Sequence, residues 1–442
     1  MNNHRVLFVA WAWSIGSAML PAIHEEKRCN IHFDIYIPNL KETHVLYTEC
    51  ELLVDYFNSI GISVLRKIPD NNQYDVIYSA YEDLFNDPEY LRKGKYHVRY
   101  AYGASGGTKP YGFMPSRFYI YDYHLCLSTM QKSFTDGLGK TYLIGNIKLS
   151  NYKRTRITPI GKKTILYLPT WGRDSSICSG IINKLMELRC NYYITAKMHS
   201  HTAFLKQEQK QSNLFDIFDK VYESNTPIAD ILNDADIVLS DISSVALDAI
   251  AGDVPLALAG LGEPIYFGGK LCLHQQLVHD DIIPGTNNMN ELESIIEKAI
   301  SPEYYDKQQR LKKELFPFEG QQCLDSFMSF QNDLFNDYVD PWYIAGRRAI
   351  RENYIKEQAA NKKRHETDFE EYKQSYDQDR KTYIKAYEDD KAAYIKAYED
   401  DKTAYIKAYE DDKMAIILSY KNSISWKITK PIRAIESLII NR

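Results

Sequence analysis

From residue 5 to about 330, short apolar runs alternate with amphipathic stretches, the pattern of parallel strands joined by crossover helices. In the first half, residues 6–11, 33–37, 64–68, 75–78 and 119–127 are predicted strands, with helices between them such as 48–59. The opening run after His4-Arg5, Val6 to Trp13, has the length of a short secretory apolar segment. It also has the length of a buried first strand, and the turn Ser14-Ile15-Gly16-Ser17 with Met19, Leu20 and Ile23 behind it favours the strand. A polar, basic bridge at 151–163, rich in turn formers and without periodicity, reads as an interdomain linker. A second series follows, with strands at 164–168, 192–197, 220–222, 237–239 and 255–258 and helices at 181–189, 228–233 and 244–251. Two doubly wound halves in tandem place a ligand cleft between the carboxyl ends of their strands.

From residue 347 to residue 430 there is neither glycine nor proline, so a long helix is predicted. Within it Tyr383-Ile-Lys-Ala-Tyr-Glu-Asp-Asp-Lys recurs at Tyr394 and Tyr405, with degenerate copies from Tyr372 and Ile416, a period of eleven. An eleven-residue period makes three turns at about 3.67 residues each, which favours a right-handed supercoil. A stripe of tyrosines on a lone helix stays exposed, so self-association is expected, against the alternative of a solitary helix solvated by its charges. At ~1.5 Å per residue, 372–420 would make a rod of about 75 Å. The end, 421–442, interleaves Trp426, Ile428, Ile432, Ile435, Leu438 and Ile439 with Lys427, Lys430, Arg433 and Arg442. Such a segment suits a headgroup region, or equally docking on the folded body.

At 442 residues the chain exceeds one ordinary core. Its 44% hydrophobic and 26% charged content excludes wholesale disorder and a multi-span membrane protein. No apolar run reaches spanning length, since 245–261 is broken by Asp248 and Asp253. A net charge of −5 provides no field for nucleic acid, which is not an expected partner. The seven cysteines contain no C-x-x-C and fit a reducing compartment, so a cytoplasmic location is expected. The domains expected are 1–150, 161–335, the helix 347–420 and the terminal segment 421–442.

Three strand ends of the second half carry candidate chemistry. In Leu168-Pro169-Thr170-Trp171-Gly172-Arg173 a strand gives way to a hydroxyl, an indole and a guanidinium, and Arg173 could clamp a phosphate. In Lys197-Met198-His199-Ser200-His201 a strand runs into imidazoles that can give a proton or bind an anionic oxygen. In Ser240-Asp241-Ile242-Ser243-Ser244 a tight polar turn opens a helix, a place suited to phosphate. Each also has a plain structural reading: Asp241 as an N-cap, Thr170-Trp171 as core, His199 as a satisfied histidine. No acidic cluster argues for a metal, and neither a metal nor a cofactor is expected.

The order Leu-Pro-Thr-Trp, then Lys-x-His, then Ser-Asp-x-Ser-Ser-x-x-x-Asp, then Asp253-Val-Pro255-Leu resembles the CDP-glycerol glycerophosphotransferase family of teichoic-acid primases and polymerases, over roughly residues 75 to 330. The resemblance implies an α/β GT-B fold of two Rossmann-like domains, followed here by the long, coiled-coil-like helical tail. It implies that the second half holds the nucleotide donor, with His199 as the motif histidine. Asp241, Ser243 and Ser244 would form the diphosphate turn, and Thr170 and Arg173 its Pro-Thr-Trp-Arg element. The family's His-Gly-Thr element is replaced by Tyr102-Gly103-Ala-Ser-Gly106-Gly107-Thr108, with Tyr102 or Gly106 in the place of the histidine. Tyrosine is a poor base at neutral pH, so either His97 or His124 substitutes, or the reaction tolerates a weaker base, or the substrate differs from the family's. Gly103, Gly106 and Gly107 would still let amides approach an anion.

The function so implied is transfer of glycerol- or ribitol-phosphate from a CDP-linked donor to a hydroxyl of a lipid-linked surface-polymer acceptor of teichoic-acid, capsule or O-antigen type. The enzyme would work at the inner face of the cell membrane, held there by 421–442 and oligomeric through the tail. The alternatives are a nucleotide-sugar glycosyltransferase and a non-catalytic scaffold.

Overall fold

The structure, a computed structural model, describes residues 4–80, 88–104, 118–156, 161–172, 175–204, 213–267 and 270–423. The chain forms two compact units, residues 1–359 and 360–442. The first unit contains two sheets. Strands β1 (Arg5–Val9), β2 (His32–Tyr36), β3 (Val64–Leu65), β4 (Tyr74–Ser79), β5 (Gly94–Tyr100), β6 (Tyr123–Cys126) and β7 (Lys140–Leu143) form one parallel sheet in the order β3-β2-β1-β4-β5-β6-β7. Strands β8 (Lys163–Leu168), β9 (Tyr192–Lys197), β10 (Lys220–Tyr222), β11 (Ile237–Ser240) and β12 (Leu256–Ala259) follow. A small antiparallel pair, β13 (Tyr266–Phe267) and β14 (Lys270–Leu271), precedes β15 (Gly285–Thr286). The second parallel sheet runs β10-β9-β8-β11-β12-β15.

Both faces of these sheets are covered, so the central strands are apolar throughout: Val6, Leu7, Phe8 and Val9 of β1, and Ile237, Val238 and Leu239 of β11, are fully buried. The exception is β5. It sends Tyr96, Val98 and Tyr100 into the main core and, by the two-residue alternation of a strand, His97 and Arg99 to the other face. There the Arg99 guanidinium lies over the Phe118 ring at 4.4 Å. The His97 amide donates to Asp122, which also accepts Arg351 Nη1 at 3.0 Å.

The expected strands of both halves are present, most with shifts of a residue or two, while 64–68 shrinks to Val64–Leu65 and 119–127 to Tyr123–Cys126; β5, β7 and β15 join them. The domain limit expected at 335 differs from what the contacts give. Helix Gln321–Phe335 crosses back onto the first sheet, where Phe327 packs 5.3 Å from the Tyr78 ring and Gln331 joins the Tyr78 hydroxyl to the buried Glu26 carboxyl. The first lobe is therefore built from both ends of the unit. The linker lies along the second lobe: Arg154 donates to the carbonyls of Leu232 and Ala235, and Arg156 grips Asp236 with two nitrogens.

The helix Pro341–Asn422 begins in the first unit. Its first turns are rooted in the first lobe, where Tyr343 donates to the Asp122 carbonyl, Arg347 to those of Tyr119 and Leu138, and Arg351 to that of Ile120. In the second unit the repeat tyrosines stand on the helix surface, 57–74% exposed from Tyr372 to Tyr409. No helix among the described residues is long and apolar enough to cross a membrane, and the segment 424–442 lies outside them.

Glu26 is fully buried, and desolvation pushes its carboxyl up to about 8, against the lowering effect of the Gln331 amide. Between the ordinary carboxyl value of 4.5 and about 8 the folded chain keeps a proton that the unfolded chain has lost. Stability contributed by this group is thus complete at low pH and declines as pH rises through that window, by up to roughly 1.4 kcal/mol per pH unit. Glu26→Gln should flatten this decline, so thermal unfolding at pH 5 and pH 8 will differ less in the variant than in the wild type.

Candidate functional site

Three neighbouring strands, β9, β8 and β11, end side by side, and the loops after them carry the family-like motifs. One buried carboxylate organises two of these loops. Asp241 follows β11 and accepts the Thr170 amide at 2.9 and 3.0 Å, the Ser176 amide and hydroxyl at 2.9 Å each, and the Ser243 amide at 3.1 Å. A carboxylate saturated in this way and fully buried cannot contact a diphosphate. Asp241, expected as a donor ligand, instead sets the shape of the turn, and Thr170, also buried, gives its amide to the same clamp.

The helix after the turn is Val245–Ala251, one residue shorter at its start than expected. Ser243 is buried, with its carbonyl accepting His274 Nε2 at 2.8 Å; Ser244 is half-buried and its side chain makes no capping bond. Asp248, the last residue of the motif, accepts Asn146 at 2.8 Å and Lys148 at 2.6 Å, tying the helix to the chain segment that leaves the first lobe.

After β9 the backbone turns so that the His201 amide donates to His199 Nδ1 at 3.1 Å. A ring that accepts at Nδ1 carries its neutral-state proton on Nε2, which makes His199 a hydrogen-bond donor from that edge. Trp171, 36% exposed, packs its ring 6.2 Å from His199 and 4.8 Å, edge-on, from His201. The two imidazoles are 5.1 Å apart. Thr170, His199, Ser243 and Ser244 thus stand on the loops that follow three neighbouring strands, and these loops make up one wall of the second lobe.

The first lobe faces this wall at two points. A Cβ built on Gly103, in the loop after β5, would stand 2.8 Å from Ser244 Oγ and 3.0 Å from its Cβ, so a larger residue would make Ser244 give way. At the second point Glu49, buried at the start of helix Tyr47–Ser59, accepts the Trp13 amide at 2.9 Å with Oε1 and places Oε2 3.2 Å from His201 Nδ1. Burial raises the Glu49 carboxyl, opposed by the Ser200 hydroxyl, the Trp13 amide and the Lys197 ammonium. Burial likewise pushes His201 down to about 4 and Lys197 down to about 8, the latter opposed by Glu49.

Other expected residues are not gathered here. His97 is fully buried in the middle of β5, near the Gly94 carbonyl, and desolvation with the nearby Arg351 charge holds it well below the usual imidazole range. His124 is buried in β6, held low by burial and then by Arg99 and Arg347. Neither reaches the gap, because both lie on the sheet face turned toward Arg351 or Arg347 rather than at a strand end. Tyr102 is half-buried and packs against the main core. Arg173, Gly106 and Gly107 lie outside the described residues. Glu49 was missed in the sequence, where it sits unremarked in an amphipathic helix, while His201 was visible only as a second histidine beside His199. Among the described residues no group of three or more His, Cys, Asp or Glu side chains is placed to hold a metal ion.

No curated protein matches the chain. Among solved structures, a protein assigned as a UDP-N-acetylglucosamine 2-epimerase from Listeria monocytogenes aligns over 77% of this chain and 98% of its own at 12% identity, with a TM-score of 0.52, which shows a shared fold of the two-lobed GT-B kind. The wall teichoic acid polymerase TagF aligns over 77% of this chain and 91% of its own at 13% identity, with a TM-score of 0.47. The wall described above falls within residues 146–266, which match the model of the family described as CDP-Glycerol:Poly(glycerophosphate) glycerophosphotransferase.

Proposed function

We propose that this enzyme transfers a polyol phosphate, as glycerol- or ribitol-phosphate, from a CDP-linked donor to a hydroxyl of a lipid-linked surface polymer. The observation that carries the reading is the set of loops after β9, β8 and β11, within the family-matching residues, where Trp171 packs 6.2 Å from His199 and Ser244 lies against Gly103 of the other lobe. The acceptor oxygen attacks the β-phosphorus, and the bond to the bridging oxygen breaks as CMP leaves with its electron pair. The Nε2–H edge of His199 and the Ser243 and Ser244 hydroxyls offset the charge developing on the diphosphate. Preorganised donors of this kind are each worth ~3 kcal/mol.

The work is done at the inner face of the cell membrane, where the basic, Trp- and Ile-containing segment 421–442 lies in the headgroup region. The exposed tyrosine stripe with its eleven-residue period pairs copies of the chain.

His199→Ala and Ser243→Ala should each lower CMP release from CDP-glycerol or CDP-ribitol by ~100-fold, with melting temperatures near wild type. Wild-type rates in both would remove the assignment, and release of UDP or GDP from a sugar donor would replace it with glycosyl transfer. Asp241→Ala should behave differently. It strands buried amides at ~1–3 kcal/mol each, so its melting temperature should drop even without nucleotide. Deleting 421–442 should move the enzyme from the membrane fraction to the soluble one on flotation, and unchanged partition would discard the anchor.

A further inference from the structure

The transfer needs a group that takes the proton of the acceptor hydroxyl, and the expected sources do not fit. His97 and His124 are enclosed away from the gap. His199 is committed at Nδ1 to the His201 amide, which leaves a donor edge rather than a lone pair. Tyr102 is a phenol, with an ordinary pKa near 10. His201 shares the lowering by burial but stands at the junction of the lobes, with Nδ1 on the side of Glu49. Its Nδ1 is buried against Glu49, 3.2 Å from Oε2, and its side chain keeps 15% of its surface exposed. Among the described residues no protein group bonds its Nε2.

We propose that His201 is the general base of the transfer and that Glu49, reaching across from the first lobe, is its positioning residue. The inference rests on the transferase reading given above. Oε2 and Nδ1 lie 3.2 Å apart without the alignment of a hydrogen bond; with Glu49 ionised, its charge favours the proton on Nδ1, the nearer nitrogen, and Nε2 then presents its lone pair. The acceptor O–H bond then breaks, its proton passes to Nε2, and the freed electron pair forms the new O–P bond as CMP departs. His201 afterwards releases the proton to solvent. Burial raises the Glu49 carboxyl, and three groups pull the other way, toward the ionised form the step uses: the Ser200 hydroxyl, the Trp13 amide and the Lys197 ammonium. The imidazolium that forms is therefore countered by a charge already in place, in surroundings that hydrate neither.

The arrangement is also a check on assembly. Glu49 belongs to the first lobe and His201 to the second, so the base is complete only when the lobes meet as they do here. Trp171, edge-on to His201 at 4.8 Å, fixes the ring's tilt from the donor side.

The test compares Glu49→Gln, Glu49→Asp and His201→Ala with the wild type in CMP release from CDP-glycerol with an acceptor, alongside CMP binding by calorimetry. Glu49→Gln should lower kcat by about 100-fold with CMP affinity unchanged. The acidic limb of its kcat/KM profile should move, because the polar groups beside His201 are then His199 and an uncharged amide, with the Lys197 ammonium left near that amide. Glu49→Asp should recover part of the rate, and added imidazole should recover part of the rate in His201→Ala. The proposal is overturned if Glu49→Gln keeps wild-type kcat and pH profile, or if imidazole fails to rescue His201→Ala while CMP still binds. Absence of CMP release by the wild type would instead bring down the transferase reading and this inference with it.

Discussion

The loops that follow β8 and β11 depend on the carboxylate of Asp241. Loops that follow different strands have no reason of their own to adopt matching shapes, and a ligand-binding edge needs them fixed together. Asp241 does this by taking amide hydrogens from the loop after β8 and from its own turn, along with the Ser176 hydroxyl. Hydrogen bonds to a charged acceptor are the stronger kind, and burial strengthens them further. A sequence motif that looks like a set of ligands is thus divided between one residue that holds the loops and others, such as Ser243 and Ser244, that remain beside the gap.

The same division runs through the junction of the lobes. Asp248 holds the helix after the turn to Asn146 and Lys148, while helix Gln321–Phe335 returns to the first sheet and joins Tyr78 and Glu26 through Gln331. The lobes are therefore connected by two chain crossings and by the polar contacts of the gap itself.

Much of the fold was legible because its signals are local. The apolar runs of β1, β8, β9 and β11 are short, continuous and bounded by turns, and the breaker-free, eleven-residue repeat announces a helix without reference to anything distant. β5 was not legible, because His97 and Arg99 give it a polar look, and their compensation by Asp122 and Phe118 comes from residues the chain brings back later. The return of Gln321–Phe335 is likewise a long-range matter. Of the site, His199 and the serines were visible as motif positions. The role of Asp241 was not, since an aspartate in a turn reads equally as ligand or clamp until its partners are seen. Glu49 had no signal at all, because its meaning lies in a carboxylate meeting a histidine from the other half of the molecule.

Gly103 sets the scale of this junction. Where the first lobe leans over Ser244, the clearance is smaller than a methyl group. A side chain larger than hydrogen at this position would press on Ser244 and disturb the hydroxyl at the start of the helix after β11.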